Sequence, residues 1–259
     1  MKTDLSGITF IIPLQIDTPD RLRNIILVLD YLNTYLSTSF MVAEYDNTPK
    51  FSMSETGAIE NCRHVFIKTE DRNFWKTKVM NIAVEKIDTP CFVLQDADVV
   101  IEPVYLEKAY RLLLEENVDF VFPFRNDVMW IPEEVVARFD NIRLHHLHQW
   151  NYETASGRDE EYIFVGLCNF IKTESFRHIG KFNQNIRSWG FEDVELYERA
   201  RKLGLNIRRL DNIPYHLGHR RTGNSNAENS YFKRNKEQYE LTRGLSREEL
   251  VKIIQKWNW

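Results

Sequence analysis

No stretch of this 259-residue chain reaches about 18 apolar residues, so a membrane-spanning helix is not expected. The amino terminus, MKTDLSGITFIIPLQ, has only a short apolar run that stops at Pro13. It reads as neither a signal peptide nor an anchor, which predicts a soluble, cytoplasmic protein. Cysteine is scarce as well. Cys62, Cys91 and Cys168 are far apart and odd in number, which implies no disulfide framework and a reducing compartment. Cys91 and Cys168 sit in apolar runs, as core thiols do. An excess of one charge is also missing: 34 basic and 38 acidic residues are well mixed and leave a net charge of −4. That is no footprint for nucleic acid. A local basic cluster does run from Arg201-Lys202 through Arg208-Arg209 to His219-Arg220-Arg221, readable as a solvated face or as a phosphate site. There is no repeat, low-complexity tract or clear linker.

What is present is ample core material. The chain is 43% hydrophobic and 13% aromatic, which suits one large domain or one domain with an appendage. Strand-like runs at 8–15, 40–47, 64–69, 91–94 and 119–124 alternate with helical patterns at 18–36, 74–87 and 103–117. Thr18 and Pro19 open the first helix, and Pro103 opens the third. This alternation predicts an α/β fold with a mostly parallel central sheet and right-handed crossovers. Ligands of such sheets bind beyond the carboxyl ends of the strands.

At one such end stands CFVLQDADVVIEP, residues 91–103. Asp96 and Asp98, two apart on an extended chain, point the same way and need positive charge between them. An ordinary acidic turn is the bland alternative. A second acidic cluster, SWGFEDVELYERARKLG, puts Glu192, Asp193 and Glu195 in the first turn of a helix that ends at Gly204. Helix-dipole complementarity accounts for one or two of these acids. It does not account for Trp189-Gly190, which brings an aromatic face and bare backbone close to something. A first-turn carboxylate beside an indole that can stack on a sugar suits general-base work on a hydroxyl. Third, YHLGHRR holds His216 and His219, which could reach one ion if the segment is helical or tightly turned; imidazoles with carboxylates suit manganese better than calcium. His145, His146 and His148 lack the spacing of one helical face and read as a surface helix end or a mobile loop over the site.

Together these segments resemble the nucleotide-sugar glycosyltransferases of the GT-A fold (Rossmann-like). FWKTKVMNIAV and QDADV look like family 2 enzymes. VGLCNFIKTESFRHIGKFN, WGFEDVELYERA and HLGH look like the β-1,4-galactosyltransferases and the polypeptide N-acetylgalactosaminyltransferases. The resemblance spans about residues 8–222. It implies one domain over 1–259: a nucleotide-sugar half at 8–125, an acceptor and catalytic half at 126–222, and a lid with a C-terminal helix at 223–259. By the same resemblance Asp98 and His219 are metal ligands, with His216 a further candidate where the galactosyltransferases use methionine. Asp96 faces the nucleotide ribose. Asp193 is the general base, and Trp189, Gly190 and Glu192 bind the acceptor or donor sugar. Pro13 and Gln15 occupy the nucleotide loop, Asp46 the uracil contact, and Lys78 and Asn81 polar positions before the D-x-D, with Lys78 approaching the diphosphate or the acids.

The implied activity is inverting transfer of a hexose, galactose or N-acetylgalactosamine favoured, from a UDP-sugar to a saccharide acceptor. Mn2+ or Mg2+ is the implied cofactor, since a divalent ion neutralises the leaving diphosphate. Bacterial surface-polysaccharide synthesis is the implied setting, with a lipid-linked acceptor at the inner membrane face among the possibilities. A GDP- or dTDP-sugar transferase, a metal-dependent phosphohydrolase and a silent sugar-binding subunit stay open as alternatives. Arg220 and Arg221 add phosphate-directed donors, and the polar stretch 222–235 suits a flexible lid. In the tail, Ser246 and Glu249 form a capping box and Leu250, Ile253, Ile254 and Trp257 share one face. That face suits docking on the domain or contact with a membrane surface.

Overall fold

A computed structural model describes the chain except residues 56–58, 116, 140–143, 145, 148–151 and 158–162. His145 and His148 therefore lie outside the described residues, and His146 is exposed. The core is a seven-stranded, mostly parallel sheet in the order β10-β6-β9-β4-β1-β2-β3. Its centre is β1 (Thr3–Leu14), parallel to β2 (Leu36–Asp46) on one side and to β4 (Cys91–Gln95) on the other. Ile8, Phe10, Ile11 and Ile12 are fully buried. Such a continuous apolar run, rather than an alternating one, is what a strand covered on both faces requires. β3 (Cys62–Lys68) extends the parallel set, while β9 (Cys168–Lys172) is antiparallel to both β4 and β6 (Phe120–Phe122). β10 (Ile207–Arg209) closes that edge beside β6.

The crossover helices are α1 (Pro19–Tyr35), α2 (Lys76–Val84) and α3 (Pro103–Leu113). Their starts agree closely with the sequence pattern, and α3 stops sooner. Beyond β4 the D-x-D falls in a turn and not on extended chain. That turn leads into β5 (Val99–Val100), which belongs to a second, four-stranded sheet ordered β5-β11-β7-β8. Here β11 (Tyr215–Leu217) runs antiparallel to β5 and parallel to β7 (Asp127–Ile131), and β8 (Thr154–Ser156) takes the edge beside β7. Between β7 and β8 lies the short α4 (Glu133–Val136), and α5 (Thr173–His178) follows β9.

Three helices close the C-terminal side: α6 (Glu192–Leu203), α7 (Phe232–Gly244) and α8 (Arg247–Ile254). The capping box of Ser246 and Glu249 is present at the start of α8. Its apolar face is docked on the domain: Leu250 is buried, and a Cβ on Gly180 would meet Ile254 at 2.5 Å. The Arg199 guanidinium lies 4.9 Å from the centre of the Trp257 ring. Inside α6, the fully buried Glu195 and Arg199 form a bidentate pair, with Thr242 of α7 donating to Glu195 at 2.9 Å. No helix among the described residues is long and apolar enough to cross a membrane.

Candidate active site

A cavity of about 400 Å³ opens at the carboxyl ends of β1 and β4. The turn after β4, the first turn of α1, the amino end of α6 and the segment after β11 complete its wall. The pairing of β5 with β11 is what assembles one side of it. His216 sits opposite Val99, and the Leu217 amide donates to the Asp98 carbonyl at 2.7 Å. The chain after the D-x-D is thereby tied to the chain carrying the histidines. His219 Nε2 lies 3.1 Å and His216 Nε2 3.6 Å from the Asp98 carboxylate, and ligating atoms of all three residues fall within 4.8 Å of one another. Gly218 lets the strand turn toward His219: a Cβ there would stand 2.5 Å from the Ile131 carbonyl oxygen.

The charges in this corner fit a divalent cation. Burial opposes ionisation of Asp98, but His216, His219 and Arg21 outweigh it and hold its carboxyl well below the usual range. Burial depresses the His216 pKa against the pull of Asp98, favouring a neutral imidazole with a free lone pair. The buried Nδ1 of His216 has no hydrogen-bond partner among the described residues. For His219, burial is outweighed by the hydrogen bond and charge of Asp98, and its pKa is raised. One carboxylate with two imidazoles is a mixed oxygen–nitrogen donor set suited to a borderline metal.

The two acids of the D-x-D do not share one cation. Asp96 turns away from Asp98 toward Lys76, whose Nζ is 3.1 Å from Asp96, 3.3 Å from Asp193 and 3.6 Å from Glu192. One ammonium among three carboxylates leaves excess negative charge in a buried place. Burial chiefly raises the Asp193 carboxyl; Lys76 pulls against it, Glu192 and Asp96 add to it, and the pKa is pushed up to about 8. Asp96 is raised for the same leading reason, again against Lys76. Burial opposes the charge on Lys76, but Asp193, Asp96 and Glu192 outweigh it and keep it protonated. Asp193 also needs Gly166 beside it, because a Cβ at that position would fall 2.5 Å from its Oδ2.

The turn ahead of α6 is strained and braced. Ser188, Gly190 and Phe191 all have positive φ, at 55°, 105° and 69°, which costs about 1 kcal/mol or more for each non-glycine residue. Asn235 of α7, fully buried, accepts from the Arg187 amide and donates to the carbonyls of Arg187 and Trp189. Glu192 accepts from the Gly190 amide at 3.1 Å. The result is a Trp189 ring that is 38% exposed and stacked on Phe232, centroids 5.6 Å apart and planes 13° apart. An exposed indole face held flat at a cavity rim is a platform for the apolar face of a sugar.

Of the residues expected from sequence, Pro13, Gln15, Asp96, Asp98, Trp189, Gly190, Glu192, Asp193, His216 and His219 line this cavity. Three do not. Lys78 lies over the Trp75 ring, 4.9 Å from its centre, and Lys76, two residues earlier, takes the place among the acids expected of it. Both ends of the Asn81 amide are engaged with the Phe182 backbone, so it fastens α2 to the loop after α5. Asp46 is held by Lys50 at 2.8 Å, outside the cavity lining. Sequence reasoning passed over Gly166 and also Arg21, whose Nη1 is 3.6 Å from Asp98. It passed over Trp130 too, whose ring stacks against His216 at 4.1 Å.

Residues 46–180 match the family model described as Glycosyl transferase family 2, more than half of the chain. The chain belongs to glycosyl transferase family 2. Residues 146–221 match a second model, the N-terminal domain of galactosyltransferase. The site of this family 2 glycosyltransferase straddles the two spans: Lys76, Asp96 and Asp98 come from the first, Trp189, Asp193, His216 and His219 from the second. No curated protein matches the sequence. Among solved structures, a mannosyltransferase from Pyrobaculum calidifontis in complex with GDP-Man and Mn2+ is similar at TM-score 0.49 and 18% identity, over 82% of this chain. This chain spans only 56% of that one. The catalytic domain of Drosophila beta1,4galactosyltransferase 7 in complex with xylobiose is similar at TM-score 0.49 and 13% identity, covering 93% of this chain and 82% of that one. A variant of that enzyme, in complex with manganese, UDP-Gal and xylobiose, gives TM-score 0.49 and 13% identity over 82% of this chain and 71% of its own.

Proposed function

We propose that this family 2 member is an inverting glycosyltransferase, moving a hexose from a UDP-sugar to the hydroxyl of a saccharide acceptor. Galactose or N-acetylgalactosamine is the favoured hexose, and surface-polysaccharide assembly in bacteria is the favoured setting. The observation that carries the reading is the Asp193 carboxyl, poised near neutral pH between the Trp189 platform and the Asp98 corner of one cavity. In this reading Trp189 stacks on the acceptor sugar and Glu192 positions a sugar hydroxyl. Asp193, as carboxylate, accepts the proton of the acceptor hydroxyl. The oxygen attacks the anomeric carbon from the face opposite the leaving group, the carbon–oxygen bond to the diphosphate breaks, and the configuration inverts. Asp98, His216 and His219 would hold manganese or magnesium, which when bound neutralises charge on the departing diphosphate. Asp96 and the Pro13–Gln15 stretch at the end of β1 face the nucleoside, and Lys76 keeps the acids from repelling one another apart.

The test is nucleoside-diphosphate release from a panel of UDP-sugars with manganese, with and without simple saccharide acceptors, for wild type and Asp193→Asn. Acceptor-stimulated release from one donor, lost in the variant, is the expected result. Release that ignores acceptor and survives the substitution would make the protein a phosphohydrolase. Silence with UDP-sugars but turnover of a GDP- or dTDP-sugar would keep the transferase and change the donor.

A further inference from the structure

The first turn of α1 carries a cation that the transfer chemistry has not used. Arg21 lines the cavity with its guanidinium divided between two carboxylates: Nε donates to Asp17 at 3.0 Å, and Nη1 lies 3.6 Å from Asp98 Oδ2. Oδ2 is the same oxygen that faces His219 at 3.1 Å. The guanidinium therefore flanks the corner where the donor set for a divalent ion converges, and both compete for one carboxylate oxygen. The Asp98 side chain is only 9% exposed and that of Arg21 22%, so the repulsion between an arriving dication and Arg21 is weakly screened. An arginine displaced from a buried carboxylate needs a new anion. A diphosphate matches the planar fork of Arg21 and arrives together with the ion. Asp17 keeps the stem in place meanwhile, and Asp17 is itself fixed by the Thr222 hydroxyl.

We propose that Arg21 exchanges partners, leaving Asp98 for the diphosphate of the donor as the divalent ion enters, so that ion and nucleotide bind cooperatively. The inference rests on the metal corner of the proposed function but not on the identity of the sugar or the base. Arg21 occupies Asp98 while the corner is without a cation, which keeps a buried carboxylate from standing alone. It then becomes a binding residue for the diphosphate. Neither ligand alone satisfies both Asp98 and Arg21; the pair of ligands does. Coupling of this kind between two sites is commonly about 5- to 150-fold, and it is reciprocal.

The experiment is a thermodynamic cycle on the full chain. Mn2+ affinity is measured by electron paramagnetic resonance of the free ion, with and without saturating UDP and, separately, GDP. It is repeated for Arg21→Gln and Arg21→Lys. Wild type should bind Mn2+ weakly alone and about tenfold or more tightly with nucleoside diphosphate. Arg21→Gln should bind Mn2+ alone more tightly than wild type, with the coupling reduced to a fewfold. Arg21→Lys, which keeps the charge and loses the fork, should bind Mn2+ alone as wild type does and retain only part of the coupling. Unchanged Mn2+ affinity without nucleotide in Arg21→Gln, or full coupling in that variant, would overturn the proposal. If wild type binds no Mn2+ under any condition, the metal corner itself fails and the exchange with it. If GDP couples and UDP does not, the exchange stands and only the donor reading falls.

Discussion

Lys76 is the residue whose removal tests the electrostatics of the site most directly. At 3.3 Å from Asp193, a unit charge at an effective dielectric near 20 contributes about 5 kcal/mol to keeping that carboxyl ionised. Both side chains are under 20% exposed, at 11% and 19%, so solvent screening subtracts little. Sharing among three carboxylates subtracts more, because water and a proton will enter as the lysine leaves. We expect Lys76→Met to raise the Asp193 pKa by roughly 1–2 units, each worth about 1.4 kcal/mol. The base works only when ionised, so activity rises with pH through the Asp193 pKa, which in wild type is about 8. Moving that limb upward should cut kcat/KM roughly 10- to 100-fold around neutral pH and return part of it in alkaline buffer. Lys76→Arg, which keeps the charge, should hold the limb in place. The assay is the pH profile of kcat/KM for acceptor-dependent nucleoside-diphosphate release. A loss of rate equal at every pH, with the limb unmoved, would mean that Lys76 acts by packing and that the argument from charge is wrong.

Gly166→Ala should push the Asp193 carboxylate aside, since its Cβ would fall 2.5 Å from Oδ2. A displacement near 1 Å costs about 100-fold in turnover, and a melting temperature that falls in step would point to unfolding instead. Glu195→Gln leaves the fully buried Arg199 without its carboxylate and should cost about 3–5 kcal/mol in urea denaturation; a loss below about 1 kcal/mol would contradict it. Asp193→Asn should stabilise the protein in alkaline buffer. The folded carboxyl titrates near 8 against a model value of 3.8. Ionising it therefore destabilises the native state progressively as pH rises from about 4 to about 8. The gain in melting temperature should be absent at about pH 4 and amount to several degrees at about pH 8.5; an equal gain at both would remove burial of the charge as its cause.

The parallel half of the fold was legible because its signals are long. Runs such as ITFIIPLQ and a helix opened by Thr18-Pro19 carry period and punctuation together, and the D-x-D follows the end of its strand as expected. The second sheet was not legible: β5 has two residues and β11 three, too few to show alternation. That is why the histidines were expected on a helix or tight turn, and not on a strand and the turn beyond it. The choice between Lys76 and Lys78 was within reach. Val79, Met80, Ala83 and Val84 are buried on α2, and Lys76 falls on their stripe at spacings of three and four. Lys78 falls with Ile82 and Glu85 on the outer face. A lysine on a core-facing stripe must be paired, and three nearby acids were already candidates. Asn81 shows the converse error, since a buried polar residue on that stripe can be consumed by backbone.

The site also explains why its ligands come from such distant parts of the chain. Asp98 lies one residue before β5, and β5 has no room for other partners than β11 among the described strands. The register of that pair, His216 opposite Val99, sets the height of both histidines above the carboxylate. β11 is in turn held by β7, with His216 beside Trp130 and Leu217 beside Ile131. Gly218 then presses against the backbone from Ile131 to Glu133, closer than any Cβ would permit. A slip of one residue between β7 and β11 would turn His216 to the opposite face and drive a side chain into that contact. The glycine between the histidines thus enforces the register, and the register places the metal corner beside the acids that Lys76 gathers.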